Sequence, residues 1–308
     1  MKLTIEKLEI LRKKGLQRII IGIILTIFIV VITLIVVIPS MTSIIQIMGF
    51  GIFGLVGGSI ITSIISFKPI KRYELGFKEV FVHSALKKIF NNVVYNPEEG
   101  LNKSVIGHTG MMNMGDKYSS NDYVSAEYKG IKFTQADVHI EERRTKKDKD
   151  GKTETYYETI FRGKWMVFDF NKNFKADVQV YTKWFSNATR NNTSNGKFQK
   201  IELENAEFNK SFRTYAQSQH DAFYILTPHI MEKIQNLSNN ISGNLLLCFI
   251  DNKLHVGIQN RKKSFEASIW TKINEEKILE KINSEINIIT QFVDELNLDN
   301  DLFRKEEI

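Results

Sequence analysis

The chain has 308 residues, 43% of them hydrophobic and 25% charged, with a formal net charge of +7 and a single cysteine. The basic surplus has a location: residues 1–72 hold nine Lys/Arg and two Asp/Glu, leaving 33 of the 42 basic and 33 of the 35 acidic residues in a neutral remainder. That distribution argues against bulk attraction to DNA or RNA, leaving only local patches, and one cysteine excludes an intrachain disulfide.

Two apolar stretches open the chain, residues 19–38 and 44–67, separated by the five residues 39–43. Neither contains a charge, and at about 1.5 Å per residue the first spans roughly 30 Å, the thickness of a hydrocarbon core. Together with the flanking residues they predict a 1–72 membrane anchor built as a transmembrane hairpin. The second stretch carries Gly54 and Gly58, a small-xxx-small ridge expected to face either the first helix or a second copy of the chain. Basic residues stand outside both spans (Arg12, Lys13, Lys14 and Arg18 before the first; Lys68, Lys71 and Arg72 after the second) and none lies in the link. By the positive-inside rule both termini of this multi-pass anchor are expected in the cytoplasm, with those seven residues at the membrane surface. A cleaved signal peptide is the competing reading; twenty apolar residues and the poor cleavage sequence Pro39-Ser40-Met41 favour an anchor.

Residues 73–308 are expected to form a cytoplasmic α+β domain, with a subdomain boundary near 185–197 in the polar loop around Asn191–Gly196. Val82, Leu86, Ile89 and Val93 repeat at helical spacing up to Pro97, and prolines 39, 69, 97 and 228 are read as element boundaries. Residues 100–115 read as loop or irregular strand. A change to period two then predicts strands at 122–128, 130–140, 153–163, 164–170 and 177–182, forming an antiparallel sheet. Gly163 is expected to make a bulge or bend, and the charged 143–152 segment a loop ending at the turn pair Asp150-Gly151. Strands are also predicted at 197–203 and 207–215, followed by a helix capped by Thr227 with Pro228 at its first position. The runs 245–250 and 254–258 flank Asp251-Asn252 as a hairpin, the first strand apolar on both faces and the second alternating. Leu279, Ile282, Ile286, Ile289, Val293 and Leu296 place a long covering helix over 274–298.

Catalytic motifs are absent. Gly151-Lys152-Thr153 ends a phosphate loop whose first glycine position holds Lys146, and the same segment fails as a calcium loop. The six histidines are dispersed without metal-ligand spacing, and Cys248 lies in an apolar strand, so neither a metal nor a cofactor is expected. The polar and aromatic stretch 161–174 is the remaining candidate. There Arg162 and Lys172 would hold an anion while Asp169 orients one of them, or else all three are solvated edge groups. Basic runs at 143–147 and 261–263 fall in expected loops that would touch a membrane surface or a polyanion.

Asp122-Tyr123, Gly130-Ile131-Lys132-Phe133, Phe161-Arg162-Gly163, Asp169-Phe170-Asn171-Lys172, Glu202-Leu203-Glu204, Phe208 with Phe212 and Tyr215, and Leu226-Thr227-Pro228 occur in that order. In order and spacing they resemble a bacterial family known as domain of unknown function 3137, with a likeness covering most of 74–298. The resemblance implies an inner-membrane protein with a cytoplasmic α+β domain and carries over no reaction, cofactor or catalytic residue. The expected function is a non-enzymatic, membrane-tethered cytoplasmic module binding a protein partner, a lipid headgroup or a small anionic ligand. The alternative is a membrane-bound hydrolase or nuclease in which Asp116, Asp122, Asp137 and Asp169 converge in three dimensions.

Overall fold

The computed structural model describes residues 4–37, 44–147, 149, 151–169, 177–189 and 197–296. The chain divides into two compact units, Met1–Ala85 with Glu266–Ile282, and Leu86–Phe265 with Asn283–Ile308.

The first unit is built on helices α1 (Ile5–Val37) and α2 (Ile44–Phe77), both long and apolar enough to cross a membrane. Each runs past its apolar stretch, α1 starting well before residue 19 and α2 continuing ten residues beyond Phe67. Gly22 faces Thr62, Gly58 faces Thr26 and Gly54 faces Val30, so the helices run antiparallel with glycine and threonine alternating along one seam. A side chain at Gly58 would overlap Thr26, whereas Gly49, Gly51 and Gly57 look onto open space. Thr26 and Thr62 share a hydroxyl hydrogen bond of 3.2 Å across the seam. Away from it the surface is apolar and exposed, with Phe53 76% and Phe28 61% accessible.

Pro69 lies inside α2 and ends nothing, contrary to its reading as a boundary. A proline removes one N–H donor, but the residues on either side keep their own bonds and the helix proceeds. The chain continues through a π-helical segment, Lys78–His83, into α3 (Ser84–Ile89). Tyr73, Phe77 and Phe81 pack as tilted ring pairs along this stretch with centroids 6.4 and 5.3 Å apart, and the Tyr73 hydroxyl donates to the Ser268 carbonyl.

The second unit is organised around one nine-stranded sheet in which every pairing is antiparallel. Its strands are β1 (Asn91–Asn96), β2 (Lys117–Tyr128), β3 (Ile131–Lys147), β4 (Thr153–Asp169), β5 (Val178–Thr182), β6 (Gln199–Ile201), β7 (Phe212–Ala216), β8 (Asn244–Ile250) and β9 (Lys253–Gln259). The spatial order is β1-β2-β3-β4-β9-β8-β5-β7-β6, so strands on both sides of residues 185–197 share the sheet. Two hairpins turn on consecutive positive-φ residues, Lys129-Gly130 and Asp251-Asn252, the geometry that matches strand twist.

One sheet face carries Phe133, Met166 and Phe168, with Phe292 of α8 (Glu275–Glu295) 6.2 Å from Phe168. Ile286, Ile289 and Val293 of the same helix, and Leu296 just past its end, are buried with it. The opposite face buries Ala136, Val138, Phe161, Trp165, Leu246 and Cys248 with Met111, Met112 and Phe185. The α+β architecture with an N-terminal helix pair is thus the one the sequence predicts.

Several boundaries differ. Val93 belongs to β1, so Pro97 follows a strand and the helical repeat stops at Ile89. Residues 100–115 contain α4 (Lys103–Gly107), and 207–215 divides into α5 (Ala206–Ser211) and β7. A further helix, α6 (Gln219–Ile225), precedes α7 (Pro228–Asn240). These short helices start at Asn102, Asn205 and Ser218, whose side chains accept from backbone N–H groups two or three residues on. Such caps stabilise helices too short to show a hydrophobic period.

The predicted strands 153–163 and 164–170 are one strand, running straight through Gly163. The register irregularity lies instead between Ile140 and Glu141, opposite Ile160. Gly163 is required because the Ile258 carbonyl of β9 occupies the space a β-carbon would need. Residues 143–147 are strand and not loop, since β3 and β4 extend beyond their neighbours as a two-stranded ribbon. Cross-strand pairs rather than apolar alternation hold that ribbon, so the period-two signal disappears there. The alternation expected for β9 gives way to burial of Leu254 through Ile258, because the strand lies between β4 and β8. Phe170, Asp150, Asn191–Gly196 and Leu298 lie outside the described residues.

A basic cleft over a buried ionic cluster

Antiparallel pairing fixes which side chains share a face. On the α8 side of the sheet, Asn121, Asp137 and Lys164 form one cross-strand row, and Ser119, His139 and Arg162 form the next. The backbone from Arg261 to Lys263 crosses this second row, anchored by the Arg261 N–H donating to the Arg162 carbonyl at 2.9 Å. Arg261 takes a positive φ to make that contact, and the Lys262 N–H donates to the Asn260 side chain at 3.0 Å. Ser119, Asn121, Asp137, His139, Arg162, Lys262 and Lys263 thereby surround a cavity of about 220 Å³.

Its inner wall is ionic and buried. Asp137, 4% exposed, accepts from both the backbone N–H and the hydroxyl of Ser264, the latter at 2.6 Å. Burial pushes the Asp137 carboxyl up to about 6, against the Ser264 hydrogen bonds and the Lys164 charge that favour its ionised form. Lys164 is buried too, and desolvation lowers its ammonium pKa although Asp137, Glu285 and Asp122 all oppose the change. Its Nζ lies 3.4 Å from the Glu285 carbonyl and 5.5 Å from the centroid of Phe265. The Glu285 carboxylate accepts from the Phe265 N–H at 2.7 Å, and Tyr95 donates to Asp122 at 2.7 Å. Burial, reinforced by Asp122, raises the Tyr95 phenol well above its ordinary value. These bonds close the rear of the cleft and fix the loop that carries Lys262 and Lys263.

The outer wall is cationic. Burial holds the His139 imidazole below its ordinary pKa; Glu141 opposes this, while Arg162 and Lys263 reinforce it. The His139 Nε2 is 3.2 Å from the Thr159 hydroxyl, which keeps the ring at the rim. Chemically this is a recessed set of donors and positive charges around a small volume, suited to an anion.

The structure unites Arg162 with a basic run that the sequence assigned separately to a loop. It does not bring Asp169 to Arg162: seven residues of strand separate them, roughly 23 Å, and the odd interval puts them on opposite faces. Asp169 is exposed beside Lys253 at the far end of β4, and Lys172 lies outside the described residues. His139 and Ser264 went unnoticed in the sequence; the one available signal for His139 was its alternate spacing with Asp137 and Glu141. Of the acidic residues considered for hydrolysis, Asp122 and Asp137 are neighbours in the buried cluster. Asp116 lies outside, accepting from the Arg143 N–H at 2.7 Å, and Asp169 is remote. Among the described residues no group of three or more His, Cys, Asp or Glu is placed to hold a metal ion. In the other unit, Arg12 is engaged by Glu9 at 2.7 Å and donates to the Ile269 carbonyl at 2.8 Å, while Lys13, Lys14, Arg18, Lys68 and Arg72 are exposed.

A second cavity of about 640 Å³ opens on the opposite sheet face, lined by Leu101, Val105, Tyr123, Val167, His108 and His255 among others. His108 pairs with Asp251 at 2.6 Å at its exposed side.

Residues 159–298 match the family described as protein of unknown function, DUF3137, the family that the sequence motifs resemble. The match includes Arg162, Lys262, Lys263 and Ser264 but not the motifs at 122–133. No curated protein matches the chain. Among solved structures, the crystal structure of the mycobacterial trehalose monomycolate transport factor A, TtfA, aligns at 10% identity and a TM-score of 0.38, over 70% of this chain and 92% of that one.

Proposed function

We propose that the protein is a membrane-tethered module that binds an anionic ligand in the cleft formed by Arg162, His139, Lys262 and Lys263. The observation that carries this reading is the convergence of three cationic side chains on a recessed 220 Å³ cavity whose carboxylate, Asp137, already accepts from Ser264. The tether is the helix pair, whose exposed apolar faces suit a lipid environment and are unfavourable in water. Basic residues at both outer ends of the pair support a bacterial inner-membrane protein with cytoplasmic termini. Tethering confines the cleft to the membrane surface and raises its effective concentration toward anything else held there.

The test is calorimetric titration of pyrophosphate into full-length protein in neutral detergent. Saturable binding that Arg162→Ala weakens at least about 10-fold, some 1.4 kcal/mol, is expected. Binding indifferent to Arg162 and to Lys263→Ala would refute the assignment.

A further inference from the structure

The cross-strand rows continue outward from the cleft. Beyond His139 and Arg162, the same face presents Lys117 with Glu141, then Arg143 with Tyr157, Thr145 with Thr155, and Lys147 with Thr153. Two contacts support the shared face: His139 lies 3.9 Å from Glu141, and the Lys117 Nζ lies 3.4 Å from the centroid of the Tyr157 ring. From His139 to Lys147 this strip is about 26 Å long at about 3.3 Å per residue, three strands wide at Ser119 and Lys117 and two strands wide from Arg143 on. The cleft cations and Lys117, Arg143 and Lys147 lie along it. Its carboxylate is Glu141, close to His139, and at its margin Asp116 accepts from the Arg143 N–H.

The other face of the ribbon is balanced. Glu142, Glu154 and Glu158 stand there with Arg144 and Lys146, and Arg144 pairs Glu142 at 2.6 Å and Glu158 at 3.1 Å. Two faces of one exposed ribbon thus differ in sign: three carboxylates slightly outnumber two cations on one, and cations predominate on the other. Alternation in the sequence Glu142-Arg143-Arg144-Thr145-Lys146-Lys147 produces the separation, because successive side chains point to opposite faces.

We propose that this face is a track for a linear phosphate polyanion, with one phosphoryl group seated in the cleft and the following groups running along Lys117, Arg143 and Lys147. The proposal rests on the anion-binding reading of the cleft and extends it from a single group to a chain. A strip that narrows from three strands to two fits a linear molecule better than a lipid plane, and its recessed end gives the polymer a terminus or a branch to anchor. Contacts made with phosphates in a row release counterions, so affinity should fall steeply with salt.

The experiment uses full-length protein in zwitterionic nanodiscs, with pyrophosphate and linear polyphosphate as probes. Polyphosphate is expected to bind at least 10-fold tighter per phosphoryl group, with the steeper salt dependence. R143E with K147E should abolish that advantage and leave pyrophosphate binding within twofold, while R144E with K146E on the balanced face should leave both intact. Circular dichroism establishes that each variant is folded. If pyrophosphate binds and chain length adds nothing, the track is refuted and the cleft stands; if neither probe binds, both fall. Equal losses from the two double variants would show nonspecific charge attraction and overturn the proposal. So would hydrogen-exchange protection of 141–159 by anionic nanodiscs without any polyphosphate advantage.

Discussion

His255 lies in β9 with 4% of its surface exposed, and the Trp165 indole N–H points to its Nδ1 at 3.5 Å. An indole only donates, so Nδ1 accepts and the ring is neutral in the folded protein. Desolvation lowers its pKa from 6.5 to about 4, assisted by Lys253 and His108 and opposed by Asp251. The unfolded chain therefore takes up a proton between these values that the folded chain refuses, and stability falls as pH drops from 6.5 toward 4. At 1.36 kcal/mol per pH unit, the gap between 6.5 and about 4 corresponds to about 3 kcal/mol. Asp137 works in the opposite direction, because its raised pKa of about 6 adds stability below 3.8 that is lost as pH rises through 6. The wild-type profile mixes the two, so the informative quantity is the difference between wild type and His255→Gln. Urea unfolding in neutral detergent, followed by tryptophan fluorescence at pH 7, 5.5 and 4, measures it. The variant is expected to start less stable at pH 7, having lost the Trp165 contact, and to gain up to about 3 kcal/mol on wild type by pH 4. A parallel pair of profiles, or a gap widening in the other direction, would refute a neutral buried His255.

Gln135 is fully buried and neither its amide oxygen nor its nitrogen has a hydrogen-bond partner among the described residues, so Gln135→Leu should raise stability by roughly 1–2 kcal/mol; a lower midpoint in the same urea assay would contradict that. Gly163→Ala should destabilise by about 3 kcal/mol, because its β-carbon meets the Ile258 carbonyl, and amide exchange should increase first along the β4–β9 pairing. His139 is held below its ordinary pKa partly by Arg162 and Lys263, and an anion between them would reverse that influence. Pyrophosphate affinity should therefore rise more on going from pH 7.5 to 5.5 in wild type than in His139→Gln; equal pH dependences would remove His139 from the cleft.

The sequence makes the helix pair, the antiparallel sheet, the Asp251-Asn252 hairpin and the covering helix legible because each rests on a local signal: an uncharged run, a period, or a pair of turn residues. Pro69 shows where a local rule loses to its surroundings, since a missing donor is a small defect within a long helix. The β3 side of the ribbon, residues 143–147, was hidden because its charged and hydroxylated side chains are solvated on both faces, which leaves no hydrophobic period to read. Half of the cleft was visible in Arg162 and the 261–263 run, but their meeting depends on β4 pairing with β9, ninety residues later in the chain. The pairing of Asp137 with Lys164 is illegible for the same reason. Only the register reveals that they face each other beneath Phe265.

Cys248 sits at zero exposure in β8, and burial raises its thiol well above the ordinary value. Alkylating reagents attack the thiolate at an accessible sulfur, so the folded chain should be nearly silent toward a maleimide. Cysteines introduced at Lys14 and Arg72, both exposed, can then be labelled from either side of the membrane without first removing the native one. Reaction of both from the cytoplasmic side alone would fix the orientation of the helix pair.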